Sequence, residues 1–230
     1  MFKLFKHWVQ NNSHPPKYIL LILIILGCAY WHITQHFIQI KGAPTCGIWD
    51  VFQNWTLWFN VLCKEHPRLA NVVLIVSTFW IDFSALFLFG RSLWGAGSRP
   101  LIALGLFLLF RQILQFIISL PLPSQIIWHD PGFPALLVTY KVSNDLYFSS
   151  HTGLAMLATI EFKRMGNQFF KYFAYFMLFF EIWTVIALQI HYTTDVYTAV
   201  VTVFLVSWIA NRAAPKFDAS LCRLDSWIRK

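Results

Sequence analysis

Charge is what this chain has least of. Asp, Glu, Lys and Arg make up 12% of its 230 residues and only 10 of them are acidic, whereas 57% are hydrophobic and 18% aromatic. A surface so poor in charge cannot be solvated as a globule, and the mean hydropathy of +0.56 agrees. The composition therefore predicts an all-α, polytopic membrane protein. Cysteine is scarce as well, with four residues in no metal-binding pattern. Cys46 and Cys63 share one expected outer loop and could bridge in an oxidising compartment, while Cys28 falls within a helix and Cys222 on the cytoplasmic side. Missing too is a small-residue cleavage pattern after the first apolar run, which begins at Lys17 and is about full spanning length. That run is read as a retained helix and not as a signal peptide.

The net charge of +8 raises the question of nucleic acid, but the basic residues lie in short runs between apolar stretches and not on one soluble face. They are a topology signal, and no nucleic-acid partner is expected. Apolar runs near 18–38, 69–90, 100–120, 149–163, 169–189 and 193–211 predict a six-transmembrane-helix bundle filling a single integral membrane domain, 1–230. The fourth run is short and led by polar residues. With the N-terminus inside, Lys3, Lys6, Lys17, Arg91, Arg99, Lys163, Arg164, Lys171, Arg212, Lys216, Arg223, Arg229 and Lys230 are cytoplasmic, and Lys41, Lys64, Arg68 and Lys141 are outside. The starts of the fourth and sixth helices then face the extracytoplasmic side of a bacterial inner membrane or of the endoplasmic reticulum or Golgi.

Residues 40–68 form an outer loop whose Trp49, Trp55, Trp58 and Phe59 suit a segment lying in the interface or partly re-entering it. Asp82, Arg111, Gln115 and Glu181 lie at membrane depth, where an ionisable group is costly and is a functional candidate by default. Arg111 could fork onto a lipid phosphate, since a guanidinium keeps its proton; the alternative is that it pairs with Asp82 or Glu181 to hold the bundle. His32 and His36 share a helical face but lack a third ligand, so they are read as interfacial polar residues.

Two segments carry the chemistry. Asn144 to Thr152 and His191 to Val196 each place a histidine and a carboxylate at the end of an expected helix. His191 and Asp195 are spaced i and i+4, which on a helix puts both on one face and lets the carboxylate fix the imidazole tautomer and raise its basicity. His151, approached by hydroxyl-bearing residues, is the expected partner. Histidine suits either direction of proton transfer near neutral pH because its ordinary pKa is ~6.5.

Together, Asp145-x-x-x-x-Ser150-His151-Thr152 and His191-Tyr192-Thr193-x-Asp195-Val196 resemble the two signature motifs of sphingomyelin synthases and their relatives in the lipid phosphatase superfamily. The resemblance extends over roughly 105–200, the expected catalytic core. It takes in Arg111, Ser119-Leu120-Pro121-Leu122-Pro123, Phe133-Pro134 and Lys163-Arg164-Met165, in an order that looks especially like the plant phosphatidylcholine:diacylglycerol cholinephosphotransferases. It implies a lipid phosphotransferase needing no cofactor and no metal, with a phospholipid donor and a diacylglycerol or ceramide acceptor. His191 would be the nucleophile, Asp195 its orienting group and His151 the proton donor and acceptor. Asp145 would orient His151 or the acceptor, with helix capping as the alternative, and Arg111, Ser150 and Tyr192 would contact substrate. Departures are also visible. Ser150 stands where the family usually has Gly, and Val185 where the superfamily's phosphatases carry an Arg. The Arg91 to Pro100 stretch does not supply the phosphatases' Lys/Arg-Pro motif, so the sequence favours the transferase branch. A lipid phosphate phosphatase, or a non-catalytic lipid-binding membrane protein, would be the alternatives.

Overall fold

A computed structural model describes residues 16–39, 48–95, 97–138, 140 and 147–228, with no side-chain description for 35–39. The described residues hold helices and no strand: α1 Lys17–Gln39, α2 Val51–Trp55, α3 Leu57–Glu65, α4 Pro67–Trp94, α5 Arg99–Ile117, α6 Ser150–Arg164, α7 Gln168–Ala187 and α8 Thr193–Ile228. Five of them, α1, α4, α5, α7 and α8, are long and apolar enough to cross a membrane. The all-α membrane architecture expected from composition is thus present.

The weak fourth run is α6. Its 15 residues rise only ~22 Å, short of a full hydrocarbon crossing. Eleven of those residues are buried, so α6 is the axis of the bundle, packed against α4, α5, α7 and α8. A helix enclosed by protein has no need of an apolar outer face, which is why its sequence reads as only weakly membrane-like. Small residues let its neighbours close in. At Gly153 an added Cβ would lie 1.9 Å from Cζ of the buried Phe107 on α5.

The two ends of the bundle are chemically different. At one end Glu161 near the close of α6 accepts both guanidinium nitrogens of Arg99 at the start of α5 (2.7 and 2.8 Å) and one from Arg164 (3.1 Å). There α8 runs on well beyond the expected limit at 211, through Pro215. Asp218 accepts from the Ser98 backbone at 3.0 Å, and Asp225 accepts from the Tyr18 hydroxyl at 2.6 Å. At the opposite end α5 stops at Ile117, where the chain turns extended ahead of Pro121 and Pro123. The starts of α6 and α8 meet there, and the Ser149 N–H donates to the Asp195 carbonyl at 3.3 Å.

The tryptophan-rich segment between the first two long helices folds into α2 and α3 on this second end. Trp49, Trp55 and Trp58 point outward, 65–77% exposed, while Gln53, Phe59, Asn60 and Cys63 are buried beneath them. Cys63 carries a free thiol, and Cys46 lies outside the described residues. His32 is exposed, and the side chain of His36 is outside the description.

Candidate active site

The second histidine segment is held from both sides. After α7 ends at Ala187, Gln189 adopts a left-handed φ of 53°, and the N–H groups of Ile190 and His191 both donate to the Val185 carbonyl (2.9 and 3.1 Å). This tight reversal places His191 in the turn ahead of α8 and not on a helix, which corrects the simplest reading of its spacing from Asp195. Asp195, at the third position of α8, folds back to accept the Tyr192 N–H at 2.9 Å, the returning half of a capping box. The same oxygen is 3.6 Å from His191 Nδ1, an ion-pair distance longer than a hydrogen bond. Proximity survives through the cap and not through a shared helical face.

Residues far away in sequence fix that turn. Gln53 Nε2 donates to the His191 carbonyl at 3.0 Å and Asn60 Nδ2 to the Ala187 carbonyl at 3.1 Å. Asp50 caps α2 by accepting from Phe52 and Gln53 N–H groups, and it also accepts from the Thr193 backbone (2.6 Å) and hydroxyl (2.8 Å). Sequence reasoning missed these three polar residues. Asp50, standing directly before a short aromatic helix, has the position and chemistry of an N-cap.

The first histidine segment enters α6 through strain. Phe148 is fully buried with φ 79°, a region that a bulky side chain rarely occupies, and its ring lies 5.0 Å from that of Phe107. Ser149 then caps α6 by accepting the Thr152 N–H at 3.3 Å. His151 follows in the first turn, 8% exposed, with its ring nearly perpendicular to Trp128 at 5.7 Å. Trp128 packs on Tyr140 at 4.5 Å, and the Tyr140 hydroxyl is hydrogen-bonded to Thr78. Burial pushes the Tyr140 phenol up to about 12, so this wall of the site stays neutral at physiological pH.

One cavity of about 330 Å³ joins these parts. Arg111, Ser150, His151 and His191 line its polar end, together with Trp31, Trp128 and Tyr140; the remainder is apolar. Arg111 is 2% exposed and lies over the Trp31 ring at 4.5 Å. The two acidic groups considered for it are engaged elsewhere. Asp82 accepts from the Leu136 and Leu137 N–H groups (2.7 and 3.0 Å), and Glu181 accepts from Ser77 (2.8 Å). Tyr192 does not line the cavity. It is buried behind the wall, with its hydroxyl donating to the Pro121 carbonyl at 3.1 Å. Asp145 lies outside the described residues. Among the described residues no group of three or more His, Cys, Asp or Glu side chains is placed to hold a metal ion.

The arrangement brings two imidazoles and a guanidinium to the wall of one largely apolar cavity. A curated protein from Arabidopsis thaliana, phosphatidylcholine:diacylglycerol cholinephosphotransferase 1, is 24% identical over 159 residues, which are 69% of this chain and 48% of that protein. The chain thus spans about half the length of that relative. No solved structure matches it. A family model described as AtPDCT1/2 matches residues 49–212, a stretch that contains Asp50, Arg111, His151, His191 and Asp195. With that match running over most of its length, the chain belongs to the AtPDCT1/2 family.

Proposed function

We propose that this protein is a lipid phosphotransferase that moves a phospho-head group, of the phosphocholine or phosphoethanolamine type, from a glycerophospholipid to diacylglycerol or ceramide. The observation that carries the reading is the convergence of Arg111, His151 and His191 on the polar end of one otherwise apolar cavity. Family membership supports it, and the relative's name favours choline and diacylglycerol.

The proposed reaction runs in two steps. His191 turns Nδ1 toward Asp195, so Nε2 attacks phosphorus in line and the bond from phosphorus to the glycerol oxygen breaks. His151 gives its proton to that oxygen, and diacylglycerol leaves. The phosphohistidine is then attacked by an acceptor hydroxyl whose proton passes to His151, which restores both imidazoles. Arg111 holds the non-bridging oxygens. Asp145 belongs to the same centre by motif and orients His151 or the acceptor. In the orientation set by the basic residues, the reaction takes place at the extracytoplasmic leaflet.

Purified protein incubated with phosphatidylcholine labelled in the head group should yield a labelled second lipid only when diacylglycerol or ceramide is added, and His191→Ala should abolish the product. Acceptor-independent release of phosphate from phosphatidic acid, faster than any transfer, would overturn this reading in favour of a phosphatase.

A further inference from the structure

Two matched stripes form one side of the apolar part of the cavity, opposite residues of α4, α6 and the loop after α5. Leu23, Ile24, Gly27 and Trp31 form one face of α1, and Leu101, Leu104, Gly105, Leu108 and Arg111 form one face of α5. Both sets repeat at the spacing of a helix surface. The two helices leave the same end of the bundle, since Tyr18 in the first turn of α1 donates to Asp225 and Arg99 opens α5 beside Glu161. The stripes therefore run in parallel, and both end at the place where Arg111 lies over Trp31.

Two glycines interrupt the stripes below that contact. Gly27 sits four residues before Trp31, ~6 Å of helix rise, and Gly105 sits six before Arg111, ~9 Å. Both line the cavity, both are exposed, and a Cβ added at either would meet no atom within 4 Å. A wall residue that is open to the outside as well as to the cavity marks a gap in the wall. On α1 and α5 the outside is the bilayer.

We propose that the gap between α1 and α5 at Gly27 and Gly105 is a lateral portal, and that an acyl chain of the lipid substrate passes through it while the phosphate stays at the histidines. The occupant follows from what the gap joins. It connects hydrocarbon on one side to a cavity that is apolar along its length and cationic only at its far end, under Arg111. An amphiphile with an anionic head and an extended apolar tail matches both. The Arg111 and Trp31 pair closes the slot toward the head-group side, so the tail threads below it. The inference rests on the lipid-transfer reading for its substrate, but the portal itself makes a separate physical claim.

Two measurements test it. Phosphatidylcholine carrying a photoactivatable diazirine midway along one acyl chain should crosslink to the Leu23–Trp31 and Leu101–Leu108 segments in vesicles, whether or not transfer is detected. Gly27→Leu and Gly105→Leu each place a branched side chain in the slot. Loss of contact with about two methylenes lowers use of long-chain donors on the order of tenfold, seen in KM more than in kcat. Short-chain donors that need not thread the gap should lose much less. Leu109→Phe, on the outward face of α5, should change neither. Crosslinks confined to other helices, or leucine variants that use long chains as well as the parent does, would overturn the portal. A protein that crosslinks as expected but transfers nothing would overturn the proposed reaction and leave the portal standing.

Discussion

Adding one methyl group at Gly153 should destabilise the bundle, and trimming one ring should reverse the sign of that effect. An alanine Cβ at 153 would lie 1.9, 2.2 and 2.9 Å from Cζ, Cε2 and Cε1 of Phe107, a side chain with no exposed surface that is also wedged against Phe148. The ring has no free space to retreat into, so the clash belongs near the upper end of overpacking penalties, about 3 kcal/mol. Replacing a glycine inside a helix by alanine returns about 1 kcal/mol through backbone entropy. The net loss is about 2 kcal/mol, or about 4–8 °C in Tm for a chain of this size. Phe107→Leu deletes the three clashing atoms. In that background Gly153→Ala should stabilise by up to about 1 kcal/mol, which makes the coupling between the two sites about 3 kcal/mol. Thermal unfolding of the four proteins in one detergent measures all of these quantities. If Gly153→Ala is destabilising by the same amount with Phe or Leu at 107, the close approach of α5 to α6 is not what that glycine serves.

Asp195→Asn should leave Tm within a few degrees, because an amide oxygen can still accept the Tyr192 N–H. Loss of the negative charge beside His191 should lower the transfer rate by ~10²–10⁴. A loss below threefold would reduce Asp195 to a helix cap. For topology, with the native cysteines replaced, Ser124→Cys should react with an impermeant thiol reagent from the extracytoplasmic side and Gln168→Cys should not; the reverse pattern would put the histidines on the cytoplasmic face.

The sequence made the helices and the pair of histidine segments legible, because apolar run length and local motifs are short-range properties. The course of the chain around His191 was not. A His-x-x-x-Asp spacing is what a helix would also produce, and nothing local announces that Gln189 turns left-handed or that Asp195 bends back to a backbone N–H. Nor could pattern alone link Gln53 to a carbonyl 138 residues away, or assign Asp82 to the Leu136 and Leu137 N–H groups in preference to Arg111. The extent of α8 was underestimated because hydropathy registers where the bilayer stops and a helix need not stop there.

The carboxylate of Asp50 serves two helix beginnings at once, that of α2 directly after it and that of α8 at Thr193, 143 residues further along the chain. During synthesis the first of these emerges long before the second exists. Until Thr193 arrives, half of the Asp50 hydrogen bonds have no protein partner, and the turn bearing His191 is held from one side only. The polar contacts around the His191 turn are therefore complete only when α8 docks. A chain interrupted before α8 would leave two of the Asp50 hydrogen bonds in the α2 segment unmade.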